Sequence, residues 1–322
     1  MDAQIDILLA TFNGARYLAA QIESIFAQDY PNWRVLARDD GSTDGTVEIL
    51  RSYERRFPQR FQVLLSEGPL AGAKENFLAL MESSTSPYVC FCDQDDVWMS
   101  HKLSLSLESM HRLEATWGKD LPLLVFSDLR LVDERLALLH DSFWRHEKIH
   151  PHRIRRFAAI LVQNVVTGCT AMLNRPLAAL AIRMPSEARM HDHWIALLAS
   201  AFGKAMPLNA QTVLYRQHSQ NVLGARKDAP SGRALVHRFR NSDLRRSQWT
   251  ASQRQAESFL KTYERELAPR EAELIRLFLQ SGSARSRVQR TYLVLRCGFL
   301  RSGWLQNAAL LFDQWTTGGG ED

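Results

Sequence analysis

The nonapeptide CFCDQDDVW (residues 90–98) closes an apolar run with three carboxylates in four residues, Asp93, Asp95 and Asp96. Two unit charges about 4 Å apart at an effective dielectric near 20 repel by roughly 4 kcal/mol, so such a cluster opens into water, takes up protons or holds a cation. The D-x-D spacing of Asp93 and Asp95 offers hard oxygen ligands of the kind Mg²⁺ or Mn²⁺ accepts while keeping waters and substrate phosphates in its shell. If extended backbone continues through them, both point to one side. Asp96 then points elsewhere, toward capping the helix expected near His101. A solvated acidic turn is the plain alternative.

Three further stretches carry polar groups in patterns that chemistry uses. RDDGSTDGT (residues 38–46) ends a strand with Asp39, whose carboxylate can accept from the ring N–H of a pyrimidine base. Ser42, Thr43 and Gly45 read as a turn, with Ser42 or Thr43 capping the helix that Asp44 begins. RMHDHWIALLASAFG (residues 189–203) sets His191, Asp192 and His193 at the start of an amphipathic helix. Positions i and i+2 of a helix do not share a face, so the histidines lack zinc-ligand spacing, and on its own Asp192 reads as a cap. LYRQHSQN (residues 214–221) ends a late strand with Arg216 and His218, either surface groups or groups that reach phosphates.

Strand-like runs position these motifs: IDILLAT (5–11), WRVLARDD (33–40), FQVLLSE (61–67), YVCFCDQ (88–94) and LLVFSDL (123–129) alternate with segments of helical period. That alternation predicts an α/β fold with a mostly parallel central sheet flanked by helices. In such sheets ligands bind beyond the carboxyl ends of the strands. Thr11 and Asn13 follow the first strand, Asp39 and Asp40 the second, Asp93 and Asp95 the fourth. Three strand ends thus present polar groups to one edge.

The 322 residues, 45% hydrophobic, suffice for one large domain and an appendage. The predicted division is residues 1–225, the α/β unit, and residues 226–322, a helical region after a linker-like KDAPSGRALVHRF. Cys90 and Cys92, at strand spacing, read as core thiols of a protein in the reducing cytoplasm. MDAQIDILLATFNG has no basic n-region, so no signal peptide is predicted, and no apolar stretch of about 18 residues predicts a transmembrane span. A net charge of +5 is modest for nucleic-acid binding, and none is expected. Basic residues nevertheless outnumber acidic ones from Arg226 to Arg301. RSRVQRTYLVLRCGFLRSGWLQNAALLFDQW reads either as a helix packed on the core or as a basic amphipathic surface. The second reading predicts peripheral contact with the anionic inner face of the cytoplasmic membrane through Arg290, Arg296 and Arg301; homo-oligomerisation through these helices is the competing expectation.

Taken in order over residues 4–225, ATFNG, RDDGSTDGT, AGAKENF, CDQDDVW, FSDLRLVDE, NVVTGCTAMLNR, HDHW and YRQHSQN resemble family 2 glycosyltransferases of the GT-A fold. The pattern is similar to the bacterial rhamnosyltransferase-type branch that builds O-antigen or capsule polysaccharide. The resemblance implies that Thr11, Asn13 and Asp39 form the nucleotide pocket with Asp93, and that Asp95 ligates the metal with His218. It implies that Asp192 deprotonates the acceptor hydroxyl. The expected activity is inverting transfer from a dTDP- or UDP-sugar, with rhamnose as the donor sugar, to a saccharide or lipid-linked saccharide, assisted by Mg²⁺ or Mn²⁺. The Gln-x-x-Arg-Trp motif of processive synthases is missing after the HDHW helix, which implies a non-processive enzyme. Acceptor contacts are expected in loops 66–76 and 140–160. Two other readings compete: a sugar nucleotidyltransferase, although ATFNGARYL has a single glycine after the first strand, and a non-catalytic scaffold of a polysaccharide assembly complex.

Overall fold

The computed structural model describes residues 3–64, 68, 72–218 and 242–316. The first apolar run forms β1 (Ile5–Thr11), buried along its whole length, and leads into α1 (Ala15–Phe26). The alternation continues through β2 (Trp33–Asp39), α2 (Thr46–Arg56), β3 (Phe61–Val63), α3 (Ala73–Ser83) and β4 (Tyr88–Cys92). Then come β5 (Val97–Trp98), α4 (Lys102–Trp117), β6 (Leu123–Val132), β7 (Leu138–His140), α5 (Phe143–His146) and α6 (Phe157–Val162). They are followed by β8 (Ala171–Asn174), α7 (Arg175–Ala181), α8 (His191–Phe202) and β9 (Lys204–Arg216). The last described elements are α9 (Ser242–Tyr263), α10 (Pro269–Ser283), α11 (Arg287–Cys297) and α12 (Trp304–Thr316). The linker-like stretch 227–239, the end of YRQHSQN and most of loop 66–71 lie outside the described residues.

The described strands form one mixed sheet in the order β3-β2-β1-β4-β8-β6-β9-β5, with β7 paired to β6. β1 to β4 are mutually parallel; β8 runs against both β4 and β6, and β6 and β9 run parallel. The sheet is therefore mostly parallel, with β8 the reversed strand that joins its two halves. Alternation along each strand feeds two core layers. Ile5, Ile7 and Leu9 of β1 and Tyr88, Cys90 and Cys92 of β4 pack with α1, α2 and α4, while Leu8, Val89 and Phe91 face α3, α7 and α8. Cys90 and Cys92 are buried thiols on one face, as their spacing predicts.

Trp249, Phe259 and Tyr263 of α9, Phe278 of α10, Val294 of α11 and Phe299 beyond it join the layer of α6 and α8. Trp194 of α8 meets Phe259 edge-on at 5.1 Å, so the late helices are packed against the helix that carries Asp192. The ends of β1, β2 and β4 and the start of α8 open on the same side of the sheet, which is where the polar motifs meet.

Candidate active site

In-register pairing of Thr11 with Asp39 brings the ends of β1 and β2 together. Thr11 Oγ1 donates to Asp39 Oδ1 (2.8 Å), and Ser42 Oγ donates to the same oxygen (2.6 Å). Asp39 Oδ2 accepts from the amides of Gly41 (3.0 Å) and Ser42 (2.7 Å). Asp39 thus braces the turn from behind Thr11, and it is Asp40 that reaches the cavity described below.

The GSTDGT turn braces its neighbour as well as its own helix start, where Asp44 Oδ1 accepts from the Thr46 amide (3.2 Å). Asn13 sits at φ 49°, a left-handed conformation that asparagine tolerates. Its amide donates to Ser42 Oγ (2.7 Å), and its Oδ1 accepts from the Thr43 amide (2.9 Å). Gly14 N donates to Thr46 Oγ1 (2.9 Å) and Ala15 N to Asp44 Oδ2 (3.1 Å). The expected cap by Ser42 or Thr43 does not form: α2 starts at Thr46 behind Gly45 in the left-handed region (φ 85°), with no side-chain cap. Ser42 Oγ and Asp44 Oδ2 serve a second turn whose N–H groups need acceptors, while Asp44 Oδ1 stays with its own helix start.

A similar tie joins this turn to CDQDDVW. Phe12 N donates to Gln94 Oε1 (2.8 Å) while Gln94 Nε2 donates to Phe12 O (2.9 Å). A Cβ on Gly14 would lie 2.1 Å from Gln94 Oε1, which explains a glycine where the helix begins. Neither Gln94 nor Gly14 stands out in the sequence, since their relation spans about eighty residues and leaves no local pattern.

β4 ends at Cys92, so the strand conformation does not continue through the aspartates. Arg216 fixes the turn that follows: Arg216 Nε donates to Asp95 O (2.7 Å), Nη1 to Glu134 O (2.7 Å), and its amide to Asp96 Oδ1 (3.2 Å). Its guanidinium also lies 4.6 Å from the centre of the Tyr17 ring, which stacks with His218 at 5.0 Å. Arg216 is buried and not a surface group. Asp96 is fully buried beside the Cys169 thiol and does not cap α4, whose N-cap His101 has no side-chain cap. It turns inward because Arg216 and Cys169 offer donors there. Burial and the neighbouring Asp95 and Asp93 push its carboxyl well above the usual range.

Asp93 and Asp95 remain at the cavity wall. His218 Nε2 lies 2.8 Å from Asp95 Oδ2. Burial, then the charges of Asp95 and Asp192, push Asp93 up to about 7. An oxygen-rich donor set with one imidazole and excess negative charge fits a hard divalent cation. Asp93, Asp96 and Cys169 also offer atoms within 4.8 Å of one another. Burial holds that thiol well above its usual value, so it stays protonated and makes a poor partner for a hard cation.

Asp192 enters from the other side, in the first turn of α8, behind the N-cap Met190. It does not close the helix as an N-cap would; its Oδ1 accepts from the His193 amide (2.6 Å). Burial raises its carboxyl to about 6, against the pull of the His193 amide, Asn164, the Gly168 amide and Arg189. The flanking histidines are buried. His193 Nε2 contacts Ile160 O (2.7 Å), and His191 packs between Phe77 and Phe91, with ring centres 4.4 and 4.8 Å away. Burial lowers them to about 4 and about 3, so both rings are neutral.

One cavity of about 960 Å³ gathers Thr11, Asn13, Asp93, Asp95, Asp192 and His218. It is large enough for a nucleoside-diphosphate sugar. Of the predicted site residues, Asp39 alone stands behind the lining rather than in it.

Residues 6–178 match the family model described as glycosyl transferase family 2, more than half of the chain. The chain belongs to glycosyl transferase family 2. Two curated relatives cover most of this glycosyltransferase. One is TuaG of Bacillus subtilis, named for teichuronic acid biosynthesis, 27% identical over 237 residues, 73% of this chain and 87% of TuaG. The other is the dTDP-rhamnosyl transferase RfbG of Shigella flexneri, 24% identical over 228 residues, 67% of this chain and 74% of RfbG. Among solved structures, the mannosyltransferase PcManGT of Pyrobaculum calidifontis, in complex with GDP-Man and Mn²⁺, superposes with TM-score 0.53 at 15% identity, covering 100% of this chain and 77% of that one. The likeness gives the glycosyltransferase its GT-A fold. Family membership sets aside both nucleotidyl transfer and a purely structural role.

Proposed function

We propose that this glycosyltransferase is an inverting, metal-dependent, non-processive enzyme. In this reading it moves rhamnose from dTDP-rhamnose to a hydroxyl of a saccharide acceptor in cell-surface polysaccharide synthesis. The observation that carries the reading is the meeting of Asp192 with Asp93, Asp95 and His218 around one cavity. The dTDP-rhamnosyl and teichuronic acid names of RfbG and TuaG support the choice of donor and pathway class.

Asp192 accepts the acceptor's hydroxyl proton as that oxygen attacks the anomeric carbon. The bond from that carbon to the nucleoside diphosphate breaks, its electron pair leaves with the diphosphate, and configuration inverts. Asp95 with His218 and Asp93 would hold a Mg²⁺ or Mn²⁺ ion, whose positive charge stabilises the departing diphosphate. Thr11 and Asn13 line the nucleotide side, with Asp39 holding the turn rigid beneath the base.

A thermal-shift series of nucleoside diphosphates and their sugars, with and without Mn²⁺, tests this reading, because a ligand that binds the native state raises its stability by mass action. The expected result is a dTDP-selective shift that needs the metal, and release of dTDP on turnover. Equal shifts for all bases, or release of pyrophosphate, would overturn it.

The late helices present a face suited to a bilayer. α12 turns Asp313 inward onto Arg245 (2.5 and 2.7 Å) and leaves Trp304, Phe312 and Trp315 78%, 61% and 50% exposed. α11 adds exposed Val288, Tyr292 and Leu295, with Arg285, Arg287 and Arg296 exposed nearby in the chain. Arg290 does not belong to this surface: it is buried, donating to Gln314 O (3.1 Å) and Ala284 O (3.0 Å), because the carbonyls at two helix ends need a donor there. Aromatic residues with arginines favour an anionic leaflet. Flotation with phosphatidylglycerol vesicles should carry the protein at low salt, and Trp304→Ala with Trp315→Ala should weaken binding roughly tenfold. Failure to float, with light scattering reading a dimer, would assign the face to a second copy instead. Among the described residues no helix is long and apolar enough to cross a membrane.

A further inference from the structure

Asp192 lines two cavities. Besides the large one, a cleft of about 210 Å³ also borders it, lined by Gln163, Asn164, Arg189, Gln248 and Arg301 among others. We infer that this cleft binds the acceptor through an anionic group, a phosphate or a carboxylate, held between the guanidiniums of Arg189 and Arg301. The inference rests on the reading of Asp192 as the base, since the acceptor hydroxyl must then lie at the wall the two cavities share.

The two arginines come from distant segments and are held by one helix face. Gln248, Ser252 and Gln255 recur at i, i+4 and i+7 of α9, one polar stripe beside its buried Trp249, Ala256 and Phe259. Arg189 N donates to Gln255 Oε1 (3.0 Å), and Arg189 Nη1 donates to Ser252 Oγ (3.1 Å). Both nitrogens of the Arg301 fork face Gln248 Oε1 (3.4 and 3.3 Å). Ser252 and Gln255 are buried, so the stripe sits where an apolar helix face would otherwise pack.

The segment carrying Arg301 is equally fixed. Phe299 anchors it in the core, Arg301 N donates to Asn307 Oδ1 (2.6 Å), Ser302 N donates to Gln163 Oε1 (2.7 Å), and Arg153 donates to Leu300 O. The cleft lining has one carboxylate, Asp192, set against two guanidiniums. Guanidinium forks bind phosphate and carboxylate oxygens in pairs and are less strongly hydrated than ammonium groups. Holding them in place beforehand lowers the ordering cost of binding. The late helices therefore contribute directly to acceptor recognition, besides covering the core.

Calorimetry on the full chain saturated with dTDP and Mn²⁺ tests the assignment. The probes are geranyl diphosphate, inorganic pyrophosphate, methyl glucuronide and neutral methyl glucoside. Binding of geranyl diphosphate or methyl glucuronide to the wild type is expected, and which of them binds separates phosphate from carboxylate. Arg189→Gln and Arg301→Gln should each weaken that probe roughly ten- to hundredfold, as expected for a lost charged hydrogen bond, with dTDP affinity unchanged. Arg301→Lys, which keeps the charge and loses the fork, should fall between. Pyrophosphate binding as tightly as geranyl diphosphate would place recognition in the phosphate alone. The proposal is overturned if neither anionic organic probe binds, if methyl glucoside binds as well as they do, or if the arginine variants melt lower yet bind the probes as the wild type does. These arms are read as binding, so they stay distinct from a failure of Asp192 as base, which appears in turnover.

Discussion

Asp192→Asn should lose sugar transfer by roughly 10³-fold while still binding the nucleotide, the scale expected when a positioned general base is removed. The wild-type pH profile supplies the second half of the expectation. Burial raises Asp192 to about 6, so below that value the carboxyl is protonated and has no electron pair to take a proton with. Transfer should fall at least tenfold per pH unit on the acid side, where Asp93 also takes up a proton, and the residual rate of the variant should show a shallower limb. Nucleoside diphosphate release at saturating donor, measured from pH 5 to 8 (a range chosen to bracket the group), reads both. A variant that keeps more than a tenth of the rate, or the same acid limb, would remove Asp192 from the role.

The same residue should trade stability for activity. A carboxyl whose folded value lies above its unfolded value of 3.8 costs stability when charged; the cost is complete above about 6 and vanishes below 3.8. Asparagine keeps an oxygen for the His193 amide and drops the charge. Asp192→Asn should therefore be more stable to unfolding than the wild type at pH 8, by at most about 3 kcal/mol, with the difference shrinking as pH falls from 6 toward 4. An inactive variant that is more stable only at high pH separates the cost of a functional charge from a folding defect.

Much of this architecture is legible in the chain because burial writes a period. β1 and β4 are continuous apolar runs whose alternate residues feed two core layers, and the polar residues that follow them had to fall at one edge. What stays hidden is the direction of side chains that serve distant partners. Ser42 and Asp44 are good capping residues, and composition alone cannot say that the acceptors are used by Asn13 and Ala15. Arg216 reads like a surface group until its contact with Asp95, 121 residues away, is known. α12 carries its aromatic residues outward because Asp313 is neutralised by Arg245, 68 residues earlier, and that pairing inverts the polarity a helical period would suggest. Asp192 lies between these cases: its position in HDHW is plain, but the burial that raises it depends on the cavity wall.

Asp95→Ala should abolish the metal requirement together with the activity. Asp95 meets His218 at 2.8 Å and shares the cavity wall with Asp93, whereas Asp96 is turned inward onto the Arg216 amide. Removing Asp95 takes away a hard oxygen ligand and leaves His218 without that partner, so Mn²⁺ should no longer add to the thermal shift given by dTDP. Transfer should fall by roughly 10³-fold, since electrostatic stabilisation of a departing diphosphate is the largest contribution asked of this site. Wild-type enzyme stripped with EDTA should fall to the same level and recover with Mn²⁺, while Asp95→Ala should not recover. Asp96→Asn is the contrast: it keeps an oxygen for the Arg216 amide and should leave the Mn²⁺ response in place. If the two variants exchange these behaviours, the cation belongs with Asp96 and Cys169, and the carboxylates at the cavity wall hold the sugar instead.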